Sequence, residues 1–151
     1  MLNTMLADLS VQQATTGYAQ GDFSPVDVLE AVAERIAACE PTVNALWNNA
    51  TAEGPVAERT RKAARESAER WQRGEALSAL DGVVVTVKEN IARAGVAMPS
   101  GTQPGSRTPE KFNAPIVDRL EEAGAIIAGS TVMPDWGMLS SGVSSLHGIT
   151  R

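Results

Sequence analysis

Hydrophobic residues in the first half of the chain recur at helical spacing. Ser24, Pro25 and Asp27 form a typical helix start, because a hydroxyl caps free N–H groups, proline fits the first turn and an acid favours the positive end of the helix dipole. The apolar residues that follow on one helix face are Val28, Leu29, Val32, Ile36 and Cys39. The pattern predicts a helix that ends at Pro41 and buries the Cys39 thiol in the core.

A second helix is predicted from residues 55–74. It begins near Pro55, is rich in Ala, Arg and Glu, and ends at Gly74, a residue type that commonly follows a helix end. Its basic residues alternate with acidic ones, which favours a solvated helix face over a nucleic-acid surface. The predicted narrow buried side of this helix consists of Ala64, Ala68 and Trp71.

The pattern changes to that of an α/β unit after residue 80. Residues 83–87 form a continuous β-branched run, as expected of a strand covered on both faces. A loop rich in Gly, Pro and Ser occupies residues 95–109, and a short helix capped by Asn113 and closed by Gly124 follows. Residues 125–129 form a second short apolar run. This order predicts a βαβ unit with two parallel strands and a right-handed crossover.

Composition limits the classes of protein that fit. A chain of 151 residues, 43% hydrophobic and 21% charged, fits one ordinary globular domain. The formal charge of −5 argues against direct binding of nucleic acid, because phosphate contacts need a basic surface. We find no apolar run long enough to span a membrane, no basic region typical of a secretion signal, and one cysteine that cannot form an internal disulfide. We therefore expect a cytoplasmic protein without membrane contact.

Lys88 raises the main question about chemistry. It follows the first predicted strand directly, and Ser130 and Thr131 follow the second strand at the same end. In open parallel sheets, sites form beyond the carboxyl ends of the strands, so these groups should share one edge. Either the strand simply reaches water at Lys88, or the amine is held there for chemistry. Local pattern alone leaves both readings open.

Three segments after residue 80 carry a resemblance to a known family. They read LDGVVVTVKENIARAGVAMPSGT, NAPIVDRLEEAGAIIAGSTVMPDWGM and SSGVSSLHGITR. In order and spacing they are similar to the GxPxxVKDN strand, the DAxxVxxLxxAGAxxxGKTNxxEF segment and the NSxxGxTxNP run of the amidase signature family. The resemblance implies the N-terminal part of an α/β/α sandwich with a mixed, partly parallel sheet, preceded by helices. It also implies that residues 1–151 are a single, incomplete domain, mainly helical over 1–79 and βαβ over 80–151.

The resemblance further implies hydrolysis of amide bonds by a Ser-Ser-Lys triad. Lys88 stands where the family has its catalytic lysine, which implies a buried, neutral general base that acts on the nucleophilic serine through a bridging serine. Burial disfavours the charged form of an amine, and a neutral amine can accept a proton. Met138, Ser140 and Ser141 match the family's substrate-side loop and are candidate substrate contacts. We expect no cofactor and no metal, because the carboxylates lack a ligand-like spacing.

The two serines of the triad have no counterpart in these residues. In the family both lie in Gly/Ser-rich segments after an NP that would follow Arg151, whereas the Ser140-Ser141 and Ser144-Ser145 pairs precede it. We therefore expect an N-terminal fragment that is inactive alone, because a base without its nucleophile has nothing to activate. The residues that depart from the family pattern, and so leave the substrate open, are Glu89, Ser130, Val132 and the Asp135-Trp136 pair.

Other polar and aromatic groups have simpler interpretations. His147 is the only histidine and lies in a Ser/Gly loop, so we predict a plain loop residue rather than a catalytic or metal-binding group. Trp136 and Met138 are predicted to pack under their loop as core in slight preference to contacting substrate. The residues that either line the site near the lysine or only form turn hydrogen bonds are Asn90, Ser100, Gly101 and Thr102.

Three functions fit these observations. The first is an amidase that hydrolyses a small-molecule amide, with these residues as its front part. The second is the A subunit of a glutamyl-tRNA(Gln)/aspartyl-tRNA(Asn) amidotransferase, which uses the same chemistry. The third is a non-catalytic remnant that acts as an interaction protein. The departures from the family pattern favour the first mildly, and a homodimer is the candidate assembly.

Overall fold

The computed structural model describes residues 5–47 and 57–151. The helical N-terminal part consists of helices α1 (Val11–Gln20) and α2 (Pro25–Val43), the two-residue strand β1 (Leu46–Trp47) and helix α3 (Glu58–Arg73). The second part consists of strand β2 (Val84–Lys88), helix α4 (Pro115–Glu122), strand β3 (Ile126–Thr131), a 3₁₀ turn (Asp135–Gly137), and strands β4 (Val143–Ser144) and β5 (Gly148–Ile149). Pro55, the predicted start of the second helix, lies outside the described residues.

Helix α2 begins as predicted and ends later than predicted. The Ser24 hydroxyl accepts a hydrogen bond from the Asp27 N–H, and Asp27 accepts one from the Ser24 N–H at 2.7 Å. The helix continues through Pro41 to Val43, so the predicted stop is wrong. A proline this close to the helix end removes one backbone hydrogen bond without breaking the last turn. The predicted burial of Cys39 is also wrong, because residues 37–39 are all exposed.

Strands β2 and β3 are parallel, which confirms the central feature of the predicted βαβ unit. Val84 pairs with Ile126 and Lys88 with Thr131, and β1 pairs antiparallel with the other side of β3. The sheet order β1-β3-β2 makes β3 central, and its residues are buried except for Thr131 at the end. Strand β2 is an edge strand of this sheet, and Thr86 is exposed. The expected cover on both faces holds for its valines, because Val84 packs against the cluster of Leu29 and Ile126 and Val85 against that of Val117 and Ile127. It does not extend to Thr86 and Lys88, which are exposed.

Helices cover both faces of the sheet. Leu29 of α2 and Ala64 of α3 pack against Ile126 and Ala128 on one face. Val117 of α4 packs against Val87 and Ile127 on the other. Side chains of successive strand residues point to opposite faces, so Ile126 and Ile127 serve different layers. The chain therefore has the predicted α/β class, with a mixed, partly parallel sheet between helical layers.

Helix α4 is followed by a turn at the predicted glycine, Gly124, but is capped differently at its start. Gly124 has φ +85°, a conformation that glycine adopts without strain. Ala114 occupies the N-terminal cap position, one residue after the predicted Asn113. The Asn113 side chain instead accepts a hydrogen bond from the Ala94 N–H at 2.8 Å and donates one to Asp118 at 2.9 Å. Asn113 thus joins the long loop to the helix.

A buried ion pair holds the start of strand β2 against helix α3. The Asp81 side chain is fully buried, and its carboxylate accepts two hydrogen bonds from Arg70, at 2.7 and 2.8 Å. It also accepts one from the Ser67 hydroxyl at 2.7 Å and one from the Leu77 N–H at 2.9 Å. Burial raises the pKa of Asp81, but the hydrogen bonds from Arg70, Ser67 and Leu77 outweigh it, so the pKa is lowered. No pattern in the sequence had indicated this group.

The Asp81→Ala variant is expected to lose about 3–5 kcal/mol of unfolding free energy, because it leaves the Arg70 guanidinium largely buried without its partner. Urea denaturation followed by circular dichroism measures this loss. Asp8→Ala is the control, because Asp8 forms an exposed ion pair with Arg35 and should matter much less. Equal losses in the two variants would contradict the structural role of Asp81.

The same ion pair predicts a dependence of stability on pH. A carboxyl whose pKa is lowered by folding stabilises the folded state above its unfolded pKa of about 4, and this contribution is lost as pH falls through the folded value. The free energy of unfolding of the natural chain should therefore fall more steeply below about pH 4 than that of Asp81→Asn. Parallel slopes for the two proteins would show that another group controls the acid response.

Candidate functional site

The carboxyl ends of β2 and β3 meet at one edge of the sheet, as the sequence predicts. Lys88 pairs with Thr131, and the Glu89 N–H donates a hydrogen bond to the Thr131 carbonyl at 2.9 Å. The Ser130 hydroxyl lies 3.5 Å from a guanidinium nitrogen of the buried Arg93. Lys88 and the end of the neighbouring strand therefore share the edge at which open parallel sheets form their sites.

The Lys88 side chain is exposed, contrary to the expected burial. The alternation of the strand explains this, because Val87 and Glu89 point inward and Lys88 therefore points outward from an edge strand. Within residues 5–47 and 57–151, the Lys88 amine forms no hydrogen bond or ion pair. The structure thus presents an accessible amine that has no counter-ion in the described part of the chain, and its catalytic role stays a prediction.

Glu89 and His147 form a buried pair that the sequence patterns did not predict. The side chains of Glu89 and His147 are 0% and 6% exposed. The imidazole Nε2 lies 3.0 and 2.9 Å from the two carboxylate oxygens, and the Met133 N–H donates to the same carboxylate at 2.8 Å. His147 lies in the predicted loop, in the turn between β4 and β5, but its side chain is buried and paired, which the prediction of a plain loop residue did not include. The two residues are 58 positions apart, so no local spacing signals their contact.

The C-terminal segment, residues 143–151, is attached to the end of helix α2. Asn44 has the left-handed conformation, φ 51°, and its side chain donates to the carbonyls of His147 at 2.7 Å and Ile149 at 3.2 Å. The Thr150 hydroxyl donates to the Asn44 carbonyl at 2.9 Å. Strands β4 and β5 pair as a small hairpin within this segment. These hydrogen bonds hold residues 147–150 against the end of helix α2.

The hydroxyls of Ser144 and Ser145 stabilise the same segment. Ser144 is buried, donates to the Gly101 carbonyl and accepts from the N–H of His147 at 3.0 Å. The Ser145 N–H donates to Asp135 at 2.7 Å, and its hydroxyl bonds the same carboxylate. These side-chain and backbone hydrogen bonds from Ser145 hold the pKa of Asp135 below its usual range. Both serines therefore have structural partners at this place.

The candidate substrate residues lie on an exposed loop after the 3₁₀ turn. Met138 is 82% exposed, and Ser140 and Ser141 are exposed as well. Trp136 is also largely exposed, so the prediction that Trp136 and Met138 pack as core is wrong. The reason is local, because Trp136 is held at φ 51° while its N–H donates to the Ser100 carbonyl at 2.9 Å. The structure leaves their contact with substrate as a prediction.

The loop after residue 99 packs tightly against the segment that follows β3. Gly101 has φ +71°, and a Cβ there would lie 2.3 Å from the Met133 carbonyl oxygen. Thr102 is buried, Ser100 is half-buried with φ 55°, and Asn90 next to Lys88 is exposed. The first three residues therefore lie within the packed turn, whereas Asn90 is exposed next to Lys88. Contact of any of the four with a ligand stays a prediction.

Two broader features of the described part of the chain bear on function. In these residues no group of three or more His, Cys, Asp or Glu is arranged to hold a metal ion. None of the described helices combines the length and the apolar character that crossing a membrane requires.

Two of the solved structures with the same arrangement are named a peptide amidase and a fatty acid amide hydrolase. The peptide amidase from Stenotrophomonas maltophilia superposes with a TM-score of 0.81 and 25% identity, over 96% of this chain and 30% of that one. A fatty acid amide hydrolase matches with a TM-score of 0.87 over 99% of this chain and 25% of its own, and its 20% identity supports the fold alone.

Sequence comparison defines the family. The amidase family profile matches residues 27–151, so the chain belongs to the amidase family, as the resemblance indicated. Similar relatives are the A subunits of two glutamyl-tRNA(Gln) amidotransferases. The protein from Chloroflexus aurantiacus is 36% identical over 149 residues, and the mitochondrial protein from Drosophila pseudoobscura pseudoobscura is 31% identical over 142 residues. The matches cover 97% and 94% of this chain, which spans 29% and 27% of the lengths of these two relatives.

The Gly101→Ala variant tests the close packing beside the site. We expect it to destabilise the chain clearly more than Gly95→Ala, because both positions need positive φ but only Gly101 would place a Cβ against backbone atoms. The shared conformational strain amounts to about 1–2 kcal/mol, and the clash adds to it only at Gly101. Urea denaturation of both variants measures the difference. Equal losses of unfolding free energy in the two variants would mean that the loop at Gly101 moves away from Met133 and Pro134 without cost.

Proposed function

We propose that Lys88 is the general base of an amide-hydrolysing site of the Ser-Ser-Lys type, and that this chain supplies the lysine-bearing part of that site. The observation that carries the proposal is the position of Lys88, at the carboxyl end of a parallel strand in a chain of the amidase family. The amine is exposed and has no ion pair or hydrogen bond in the described part of the chain, so a hydroxyl partner can approach it.

The exposure of Lys88 is compatible with this role when another segment covers the edge. The chain spans 29% of the length of the Chloroflexus relative. In this proposal, a segment like those in the rest of that relative covers the Lys88 edge and supplies the serine hydroxyls. Removal of water from an amine favours its neutral form, and only the neutral form takes a proton from a serine. The residues described here would then supply the base, and the nucleophile would come from elsewhere.

The substrate in this proposal is a small-molecule carboxamide. Met138 provides an exposed apolar contact, and Ser140 and Ser141 provide exposed hydroxyls on the same loop. Small-molecule sites typically combine an apolar wall with a few polar groups that fix orientation. A serine nucleophile activated by a lysine needs no cofactor for this reaction.

A second candidate is the ammonia-releasing component of a tRNA-dependent amidotransferase. The names of the Chloroflexus and Drosophila relatives favour it. The two candidates share the lysine chemistry and differ in the origin of the amide and in the need for partner proteins. The net charge of −5 favours contact with tRNA through a partner rather than through this chain.

A graft of this chain into an amidase tests the role of Lys88. In the Stenotrophomonas peptide amidase, the matched 30% is replaced by this chain, and hydrolysis of peptide amides is measured. We expect turnover from the graft and a loss of about 10²–10⁴-fold in Lys88→Ala, the usual contribution of a general base. This chain alone should give no turnover.

The matched control for Lys88→Ala is Lys111→Ala, because Lys111 is also exposed and lies far along the chain from the sheet edge. It should leave turnover of the graft within about twofold, as expected of a surface substitution. A graft that folds and keeps full turnover without the Lys88 amine would overturn the proposed function.

A further inference from the structure

We propose that Glu89 and His147 are positioning residues that couple the end of strand β2, and with it Lys88, to the docked C-terminal segment 143–151. The importance of this coupling for catalysis rests on the proposed function. The coupling itself is a property of this chain and can be tested without any amide substrate.

Glu89 connects the strand end to two other parts of the chain. Its backbone N–H bonds the Thr131 carbonyl at 2.9 Å, and its carboxylate accepts from the Met133 N–H at 2.8 Å and contacts His147 Nε2. The turn after the strand is closed by a hydrogen bond from the Ile91 N–H to the Lys88 carbonyl at 2.9 Å. A displacement of the carboxylate is therefore expected to disturb the backbone that directly follows Lys88 and the backbone at Met133.

His147 is held so that its ring faces the carboxylate. The Ser144 hydroxyl accepts from the His147 N–H at 3.0 Å, and the Asn44 side chain donates to the His147 carbonyl at 2.7 Å. The indole of Trp47 contacts the imidazole edge to face, with ring centres 4.9 Å apart. Because an ionised carboxylate only accepts hydrogen bonds, Nε2–H is the group on His147 from which such a carboxylate would accept. The backbone contacts of His147 with Ser144 and Asn44, together with the Trp47 indole, thus fix the direction in which Nε2 points.

The contact between Glu89 and His147 couples their two segments because a buried carboxylate needs hydrogen-bond donors. With His147 in place, the carboxylate has donors from two segments, whereas without it only the Met133 N–H donates to it among the described residues. A buried carboxylate that loses a donor is strongly disfavoured, and it regains stability only when the strand end opens to water. The contact of residues 143–151 with Glu89 should therefore keep the end of strand β2 and the turn after Lys88 ordered.

Amide hydrogen exchange on the ¹⁵N-labelled chain tests this coupling. His147→Phe keeps a ring against Trp47 and removes the donor. We expect exchange at the amides of Glu89, Ile91 and Met133 to accelerate by about tenfold or more. The internal control is the Ile126 amide, which bonds the Val83 carbonyl at 2.8 Å at the opposite end of the same strand pair. Its exchange should change by less than about twofold.

A conservative variant separates positioning from general stability. His147→Gln retains an N–H donor and should restore exchange at the three amides to within about threefold of the natural chain. Acceleration by the same factor at both ends of the strand pair would show only a global loss of stability and would overturn the proposal. Unchanged exchange at the Lys88 end in His147→Phe would overturn it as well.

A second variant keeps the test decisive if His147→Phe does not fold. Glu89→Leu fills similar space and removes the acceptor that the Met133 N–H and His147 Nε2 share, so it should accelerate exchange at Ile91 and Met133 but not at Ile126. Loss of protection at both ends in this variant too would contradict the coupling. Because the readout is exchange and not turnover, failure of Lys88 as a base leaves this result unaffected.

Discussion

Two buried carboxylates bracket strand β2, and their need for hydrogen-bond donors fixes where the strand lies. The side chains of Asp81, before the strand, and Glu89, directly after it, are both fully buried. Asp81 takes its donors from helix α3 and the residues after it, and Glu89 takes its donors from the segments after β3 and near the C-terminus. Since a buried charge without donors is costly, each carboxylate holds distant segments in place.

The position of strand β2 between these two carboxylates determines which side chain is exposed at its carboxyl end. Because the strand alternates, inward-facing Val87 and Glu89 require Lys88 to face outward, next to the end of β3. The exposed loop that carries Met138 follows β3 along the chain, beyond Thr131 at the end of that strand. The Lys88 amine is exposed and has no partner among the described residues, so its edge is open to contact by another segment. The chain spans 29% of the length of the Chloroflexus relative.

The features that sequence predicted correctly are those set by neighbouring residues. The Ser24–Asp27 cap and the turn at Gly124 each follow from a few adjacent side chains or from one conformational preference. The parallel pairing follows instead from the order of strand, loop, helix and strand along the chain. The position of Lys88 at the carboxyl edge also follows from strand order. The family assignment came from the order of three motifs, and the family profile confirms it.

The features that sequence missed depend on contacts between distant residues. The Glu89–His147 pair and the Asp81–Arg70 pair leave no periodic signal, and the exposure of Cys39 and Trp136 depends on where neighbouring elements end. The burial of Lys88 was expected from the family role rather than from the strand. In this chain an edge position and strand alternation decide the outcome instead.

The distance from Lys88 Nζ to the nearest serine hydroxyl, in a crystal structure of the complete grafted amidase, tests the central claim most directly. The account predicts a direct hydrogen bond of about 2.7–3.2 Å to a serine from outside this chain, with the amine no longer exposed. A Lys88 amine that still faces solvent in that structure, with no hydroxyl in reach, would contradict it.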